Sequence, residues 1–137
     1  MDFTACMEAV VRAVAQDFGT ADWVHAIVDF EVLEQGDGFD TDHLALLIRK
    51  DAGGILSREQ FYLSQPAIDA ALALYRQRRD EAGETIGGFV LRIDHPGQFR
   101  FELRHEAPRR LNGVWDKDWQ DYLTNYLDHY RREMARR

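Results

Sequence analysis

The stretch DWVHAIVDFEVLEQ, residues 22–35, alternates apolar and polar side chains. A period of two is typical of a β-strand with one buried side. His25, Asp29 and Glu31 share one face, which we expect to be exposed to water. The apolar residues of the opposite face are Val24, Ala26, Val28, Phe30 and Val32.

Four more strands are predicted around this one. They are HLALLIRK at 43–50, ILSREQFYLS at 55–64, IGGFVLRID at 86–94 and QFRFELRHE at 98–106. The segments GDGFDTD, DAGG and HPG between neighbouring strands are short and rich in Gly, Asp or Pro, as turns are. Strands joined by such short turns lie antiparallel, so the sequence predicts an antiparallel sheet.

Three helices complete the predicted order α-β-β-β-α-β-β-α. An apolar stripe at helical spacing runs through residues 3–18, and a second follows Pro66 and ends near Gly83. A broad aromatic stripe runs from Trp115 or Asp116 to the C-terminus. The sequence therefore predicts a single α+β domain over residues 1–137, with an antiparallel sheet and helices packed on one face.

The composition is that of a globular protein. The chain has 137 residues, of which 45% are hydrophobic and 30% charged, and this length can bury one core. Apolar runs such as LALLI are far shorter than a membrane helix requires, and the N-terminus lacks the basic region of a signal peptide. Cys6 is the one cysteine, which excludes an internal disulfide. We expect a cytoplasmic protein that contacts no membrane.

Charge is distributed unevenly along the chain. The net charge is −7, which argues against a nucleic acid partner. Residues 1–48 hold ten acidic residues and one basic residue, so the acidity is concentrated there. Such a field attracts partners of opposite sign, and we expect a basic protein partner. The candidate contact residues are Asp29, Glu31, Glu34, Asp37, Asp40 and Asp42.

Signatures of catalysis and of metal or cofactor binding are absent from the sequence. The five histidines are scattered, and Cys6 has no basic neighbour to activate it. His25 and His43 could face each other across neighbouring strands, but two polar residues on a wet sheet face explain them as well. The acids of residues 37–42 do not follow the EF-hand spacing, and the Gly pairs at 53–54 and 87–88 belong to no nucleotide-binding motif. We therefore expect a binding protein without a cofactor or metal, and not an enzyme.

The segment RHEAPRRLNGVWDKDW, residues 104–119, is the most distinctive in the chain. Pro108 cannot donate to a sheet and should end the last strand. Asn112 and Gly113 supply a turn, and Asp116 can cap the final helix. Most of the segment is thus predicted to connect strand and helix, with Arg109 and Arg110 left without a structural role.

The longer segment FRFELRHEAPRRLNGVWDKDW, residues 99–119, resembles the closing segment of the YezG-like immunity proteins of bacterial toxin–immunity pairs. Arg110, Asn112 and Trp115 are the residues that match, and the upstream order of elements is similar. The resemblance implies a small cytoplasmic protein that neutralises a cognate toxin, often a nuclease, by direct binding. Pro108 and the basic tail RREMARR depart from the family's pattern.

Small secretion chaperones offer an alternative resemblance. They share the order of elements, the acidity and the length, and they dimerise to hold an effector segment. A chaperone of this kind should show large apolar patches outside its core, whereas the outward strand positions here are mostly charged. The sequence leaves the choice between immunity protein and chaperone open, and it allows a monomer or a dimer.

Overall fold

The computed structural model describes residues 2–137. Its strands are β1 (Trp23–Gln35), β2 (Gly38–Lys50), β3 (Leu56–Phe61), β4 (Gly88–Asp94) and β5 (Gln98–Arg104). Its helices are α1 (Phe3–Phe18), α2 (Gln65–Ala82), α3 (Lys117–Thr124) and α4 (Tyr126–Ala135), with a short 3₁₀ turn at Arg110–Asn112. The predicted α+β class and the order of elements are confirmed, except that the last helix is two. None of these helices combines the length and apolarity needed to cross a membrane.

The five strands form one antiparallel sheet in the order β3-β2-β1-β4-β5. β1 is the central strand, with Asp29 lying between Leu44 of β2 and Val90 of β4. β3 and β5 are the two edges. The residues opposite each other show that His25 and His43 are not cross-strand partners, because His25 pairs with Ile48 and His43 with Phe30.

The first face of the sheet carries the main core, and α1 and α2 cover it. Val28, Phe30 and Leu47 pack there against Val14 of α1 and Leu74 of α2, all nearly inaccessible to solvent. The Asp2 side chain caps α1 by accepting from the Ala5 N–H at 2.7 Å, and the Ser64 side chain caps α2. The buried residues of this face are the ones that the alternation of apolar side chains predicts.

The second face is also covered by helices, so the expectation of helices on one face is wrong. Ile27, Leu46, Ile48 and Val90 form a smaller apolar cluster there, beneath α3 and α4. Burying these side chains offsets the cost of ordering the two helices. The remaining part of this face is polar and lies beneath the 3₁₀ turn, which contacts both β1 and β2.

β3, β4 and β5 are each shorter than predicted, and two further boundaries differ from expectation for local reasons. The predicted acidic turn at 36–42 is shorter, because residues 39–42 continue β2 opposite β1. The final helix breaks at Asn125, whose side chain donates to the Asp121 carbonyl at 3.0 Å and competes with the helical backbone.

Candidate functional site

The connection between β5 and α3 is held by its own side chains. The Asn112 side chain donates to the Pro108 carbonyl at 2.6 Å, and Gly113 takes a left-handed φ of 72° that ends the 3₁₀ turn. The Asp116 carboxylate accepts from the Trp119 N–H at 3.2 Å and caps α3. The predicted turn and cap are therefore confirmed.

Arg110 inserts its guanidinium among three carboxylates of the second face. Its Nη1 lies 3.0 Å from Asp29 Oδ2 and 3.5 Å from Glu31 Oε2, and its Nε donates to Asp42. Burial disfavours the charged guanidinium, but the hydrogen bonds and charges of these carboxylates outweigh that cost and raise the pKa of Arg110. Arg110 stays protonated and balances charge that the fold has taken out of water.

The two innermost carboxylates have further donors. Glu31 accepts from the backbone N–H groups of Arg110 at 3.3 Å and Leu111 at 3.1 Å. Asp29 accepts from Trp119 Nε1 at 2.5 Å and lies 3.6 Å from Nη1 of Arg104, whose guanidinium stacks over the Trp119 ring. The interacting residues, called the Arg110 cluster below, are Asp29, Glu31, Asp42, Arg104, Arg110 and Trp119.

The Arg110 cluster corrects the predicted contact surface. The sequence predicts Asp29 and Glu31 on an open, solvated sheet face, but they are 0% and 3% exposed. The alternation places them on the second face correctly, and residues 110–119 then cover them. In this arrangement they cannot touch a partner, and Arg110, predicted to have no structural role, is their counter-ion.

The other four predicted acids lie where β1 turns into β2. Glu34 pairs with Arg79 of α2, and Asp42 is shared with Arg110 while its side chain remains 43% exposed. Asp37 and Asp40 are exposed and form no ion pair with any residue of the described chain. We call residues 34–42 the acidic hairpin end, and Asp37 and Asp40 are its uncompensated charges.

Trp115 is exposed rather than part of the core. The sequence predicts that it begins the apolar stripe of the last helix, but it precedes α3 and is 72% exposed, next to Val114 at 54%. Trp119 instead packs against the second face. Trp115 follows the 3₁₀ turn whose Arg110 binds Asp42, so the exposed indole belongs to a segment tied to the strand that holds Asp40.

A buried histidine network lies at the other end of the second face. His25 Nδ1 is 2.7 Å from Asp94 Oδ1, and its Nε2 is 2.7 Å from the Tyr126 hydroxyl. Tyr130 packs against the same ring, with 4.8 Å between ring centroids. The sequence places His25 on this face but gives no sign of its partner in α4, 101 positions away.

Acidification should destabilise the protein through His25. Burial lowers the pKa of His25 below its ordinary value of 6.5, with Asp94 acting in the opposite sense. The unfolded chain therefore binds the proton more readily, so the stability is complete above pH 6.5 and falls as the pH falls below it.

The measurement is urea unfolding between about pH 5 and 7, the range in which histidines titrate. We expect the free energy of unfolding to fall with pH in the wild type and the slope to be smaller in His25→Asn. His105→Gln, which alters an exposed histidine, is the control and should keep the wild-type slope. An unchanged slope in His25→Asn would contradict the assignment. Some slope should remain in this variant, because burial also lowers the pKa of His43.

Within residues 2–137 no group of three or more His, Cys, Asp or Glu side chains is placed to hold a metal ion. The surface carries open clefts, such as one of about 430 Å³ between Tyr75, Arg79, Ile86 and Pro108. Arg79 at this cleft is already engaged with Glu34.

Comparison with known proteins adds no family assignment. The chain matches no protein-family model and no curated protein. The similarity of residues 99–119 to the YezG-like immunity proteins thus stays a prediction from the sequence.

Proposed function

We propose that this chain is an immunity protein that binds a basic toxin domain and blocks it by direct contact. The observation that carries the proposal is the pair of uncompensated carboxylates, Asp37 and Asp40, exposed at the acidic hairpin end. No basic side chain of residues 2–137 pairs with them in the way that Arg110 pairs with Asp29. Exposed carboxylates cost little in water, and opposite a cationic surface they speed association and favour the correct partner.

Trp115 supplies the second element of a contact surface. Tryptophan is enriched among the residues that dominate binding energy, and such anchors lie in contacts rimmed by polar side chains. Here the exposed indole and Val114 follow the turn that is tied to β2 through Asp42. The acids would set the association rate and selectivity, and the indole would slow dissociation.

The acidic hairpin end is complementary in charge to a toxin that acts on nucleic acid. A cleft that binds phosphates must be cationic, and an acidic cap competes for it. The net charge of −7 extends the attraction beyond the contact itself. A nuclease domain is therefore the class of toxin we propose.

The test is binding of the purified chain to the C-terminal domain of the protein encoded by the neighbouring reading frame. We expect a complex, loss of the domain's toxicity on co-expression, and an association rate constant about tenfold lower for Asp37→Asn/Asp40→Asn at low salt. The measurement is surface plasmon resonance at two salt concentrations. The dissociation rate constant should change less than the association rate constant.

The control for charge is Glu8→Gln/Glu81→Gln, which removes two exposed helical acids that have no ion pair in the described chain. It should lower the association rate far less. Equal effects of the two variants would show general attraction without a contact at the hairpin end. A complex with the N-terminal segment of a secreted effector, and none with a toxin domain, would favour the secretion chaperone and overturn the immunity proposal.

A further inference from the structure

β5 leaves one whole edge of the sheet without a neighbour. It pairs with β4 along its length, and no other strand of the described chain pairs with it. Its outer backbone groups are therefore available for hydrogen bonds to another strand. Such an edge can accept an added strand from a second molecule.

The side chains of β5 separate into an apolar and a charged row. Phe99, Phe101 and Leu103 are half-buried against the first core and extend it to the edge. Arg100, Glu102 and Arg104 lie on the other face. A strand that pairs with this edge would cover the apolar row on one face of the sheet. On the other face its side chains would lie directly opposite the charged row.

Two copies of β5 are complementary in one antiparallel register. In an antiparallel pair, side chains directly opposite each other lie on the same face of the sheet. A two-fold axis that relates two copies of β5 must therefore pass at a residue, which then lies opposite its own copy. With the axis at Phe101, Arg100 faces Glu102 of the second copy, Phe99 faces Leu103, and Phe101 faces itself. The pairing is charge-matched on one face and apolar on the other.

The neighbouring registers are disfavoured by like charges. An axis at Arg100 places that residue opposite its own copy, and an axis at Glu102 does the same for the carboxylate while also opposing Arg100 to Arg104. Like charges directly opposite each other destabilise strand pairing. The charge pattern therefore selects one register among the three that overlap most of the strand.

The other edge of the sheet lacks this property. In β3 an axis at Arg58 opposes two arginines, and an axis at Glu59 opposes two glutamates. Charges of this kind protect an edge from pairing. The contrast between the edges argues for a specific role of β5.

We propose that two copies of this chain pair through β5, antiparallel about Phe101, to form a continuous ten-stranded sheet. The interface is distinct from the acidic hairpin end, so the proposal does not rest on the proposed function. Each copy would present its hairpin end independently, and one dimer could bind two partners.

The test is sedimentation equilibrium of the purified full chain and of charge variants. The wild type should sediment with twice the 15.9 kDa mass of the chain at protein concentrations below about 1 mM, which we take as the weak limit of specific association. Arg100→Glu should weaken the dimer at least about tenfold, because it sets the new carboxylate of one copy against Glu102 of the other. The exchanged pair Arg100→Glu/Glu102→Arg should restore the affinity to within about threefold of wild type.

The substitution at position 100 does not threaten the monomer, since Arg100 lies opposite Arg92 and a carboxylate there faces a cation. Arg58→Glu, on the β3 edge, is the matched control and should leave the dimer intact. Amide hydrogen exchange should show concentration-dependent protection in residues 98–104 and not in 56–61. A monomer at all concentrations, a dimer insensitive to Arg100→Glu, or a failure of the exchanged pair to restore it would each overturn the proposal.

Discussion

Replacing Arg110 with methionine should lower the free energy of unfolding by about 3–5 kcal/mol, the usual cost of removing one partner from a buried charge pair. Methionine keeps much of the apolar stem but leaves Asp29, which is 0% exposed, without its closest guanidinium. Arg104 remains 3.6 Å away and cannot replace the hydrogen bonds to both Asp29 and Glu31. Urea unfolding followed by far-UV circular dichroism measures the change.

The matched control is Arg109→Met, one residue earlier in the same segment. Arg109 is about half exposed and pairs with Asp116 at the surface. Surface pairs contribute roughly 0–1 kcal/mol, so this variant should unfold almost as the wild type does. Equal losses in the two variants would mean that the Arg110 cluster has no special role in stability.

Replacing Gly87 with alanine should prevent stable folding, at a cost of about 4 kcal/mol or more. A Cβ atom at this position would lie 2.1 Å from the Glu106 carbonyl oxygen and 2.9 Å from the Pro108 nitrogen, both backbone atoms that cannot turn aside. The residue is also held on two sides. Its N–H donates to the Arg104 carbonyl at 2.8 Å, and its carbonyl accepts from the Val32 N–H at 3.0 Å.

Gly97→Ala is the control for Gly87→Ala. Gly97 lies in the turn between β4 and β5, and a Cβ atom there meets nothing within 4 Å. Soluble expression and thermal unfolding should match the wild type for Gly97→Ala and fail for Gly87→Ala. A well-folded Gly87→Ala protein would show that the segment 106–108 can move away from β4 at little cost.

The Gly pair at 87–88 is visible in the sequence, but its structural role could not be predicted from it. The pair follows no nucleotide-binding motif in the sequence, and its structural role depends on the fold, where it meets residues 30–32 and 104–108. Gly88 has a φ of 154°, and a Cβ atom there would lie 1.9 Å from the Phe30 carbonyl oxygen. A Gly pair in a sequence indicates that another backbone segment approaches closely. Which segment approaches depends on the fold and cannot be inferred from the pair.

The strands and their antiparallel pairing were predictable, because a period of two is a local signal. The second covered face was missed, although a sign of it was present. Ala26, Ile27 and Val28 form a continuous apolar run, as do residues 44–48, and unbroken runs are typical of strands buried on both faces. The alternation of β1, taken alone, predicts one buried face and does not indicate the second.

The Arg110 cluster could not be predicted from sequence spacing. Arg110 and Asp29 are 81 positions apart, and no local pattern links them. A buried carboxylate and a solvated one look the same in a sequence, and the pairing that decides between them is tertiary. Trp115 and Trp119 show the same limit, since one is 72% exposed and the other packs on the second face.

The pairing of Arg110 with Asp29 is tested most directly by a double-mutant cycle, measured by urea unfolding of Arg110→Met, Asp29→Asn and the double variant. Arg110 and Asp29 form a buried ion pair, so Asp37 and Asp40 are the acids that we propose as the contact with a partner. We predict a coupling free energy of about 2–3 kcal/mol, with the double variant more stable than the sum of the single losses implies. A coupling near zero would contradict this assignment, because Arg110 would then not be the counter-ion of the buried Asp29.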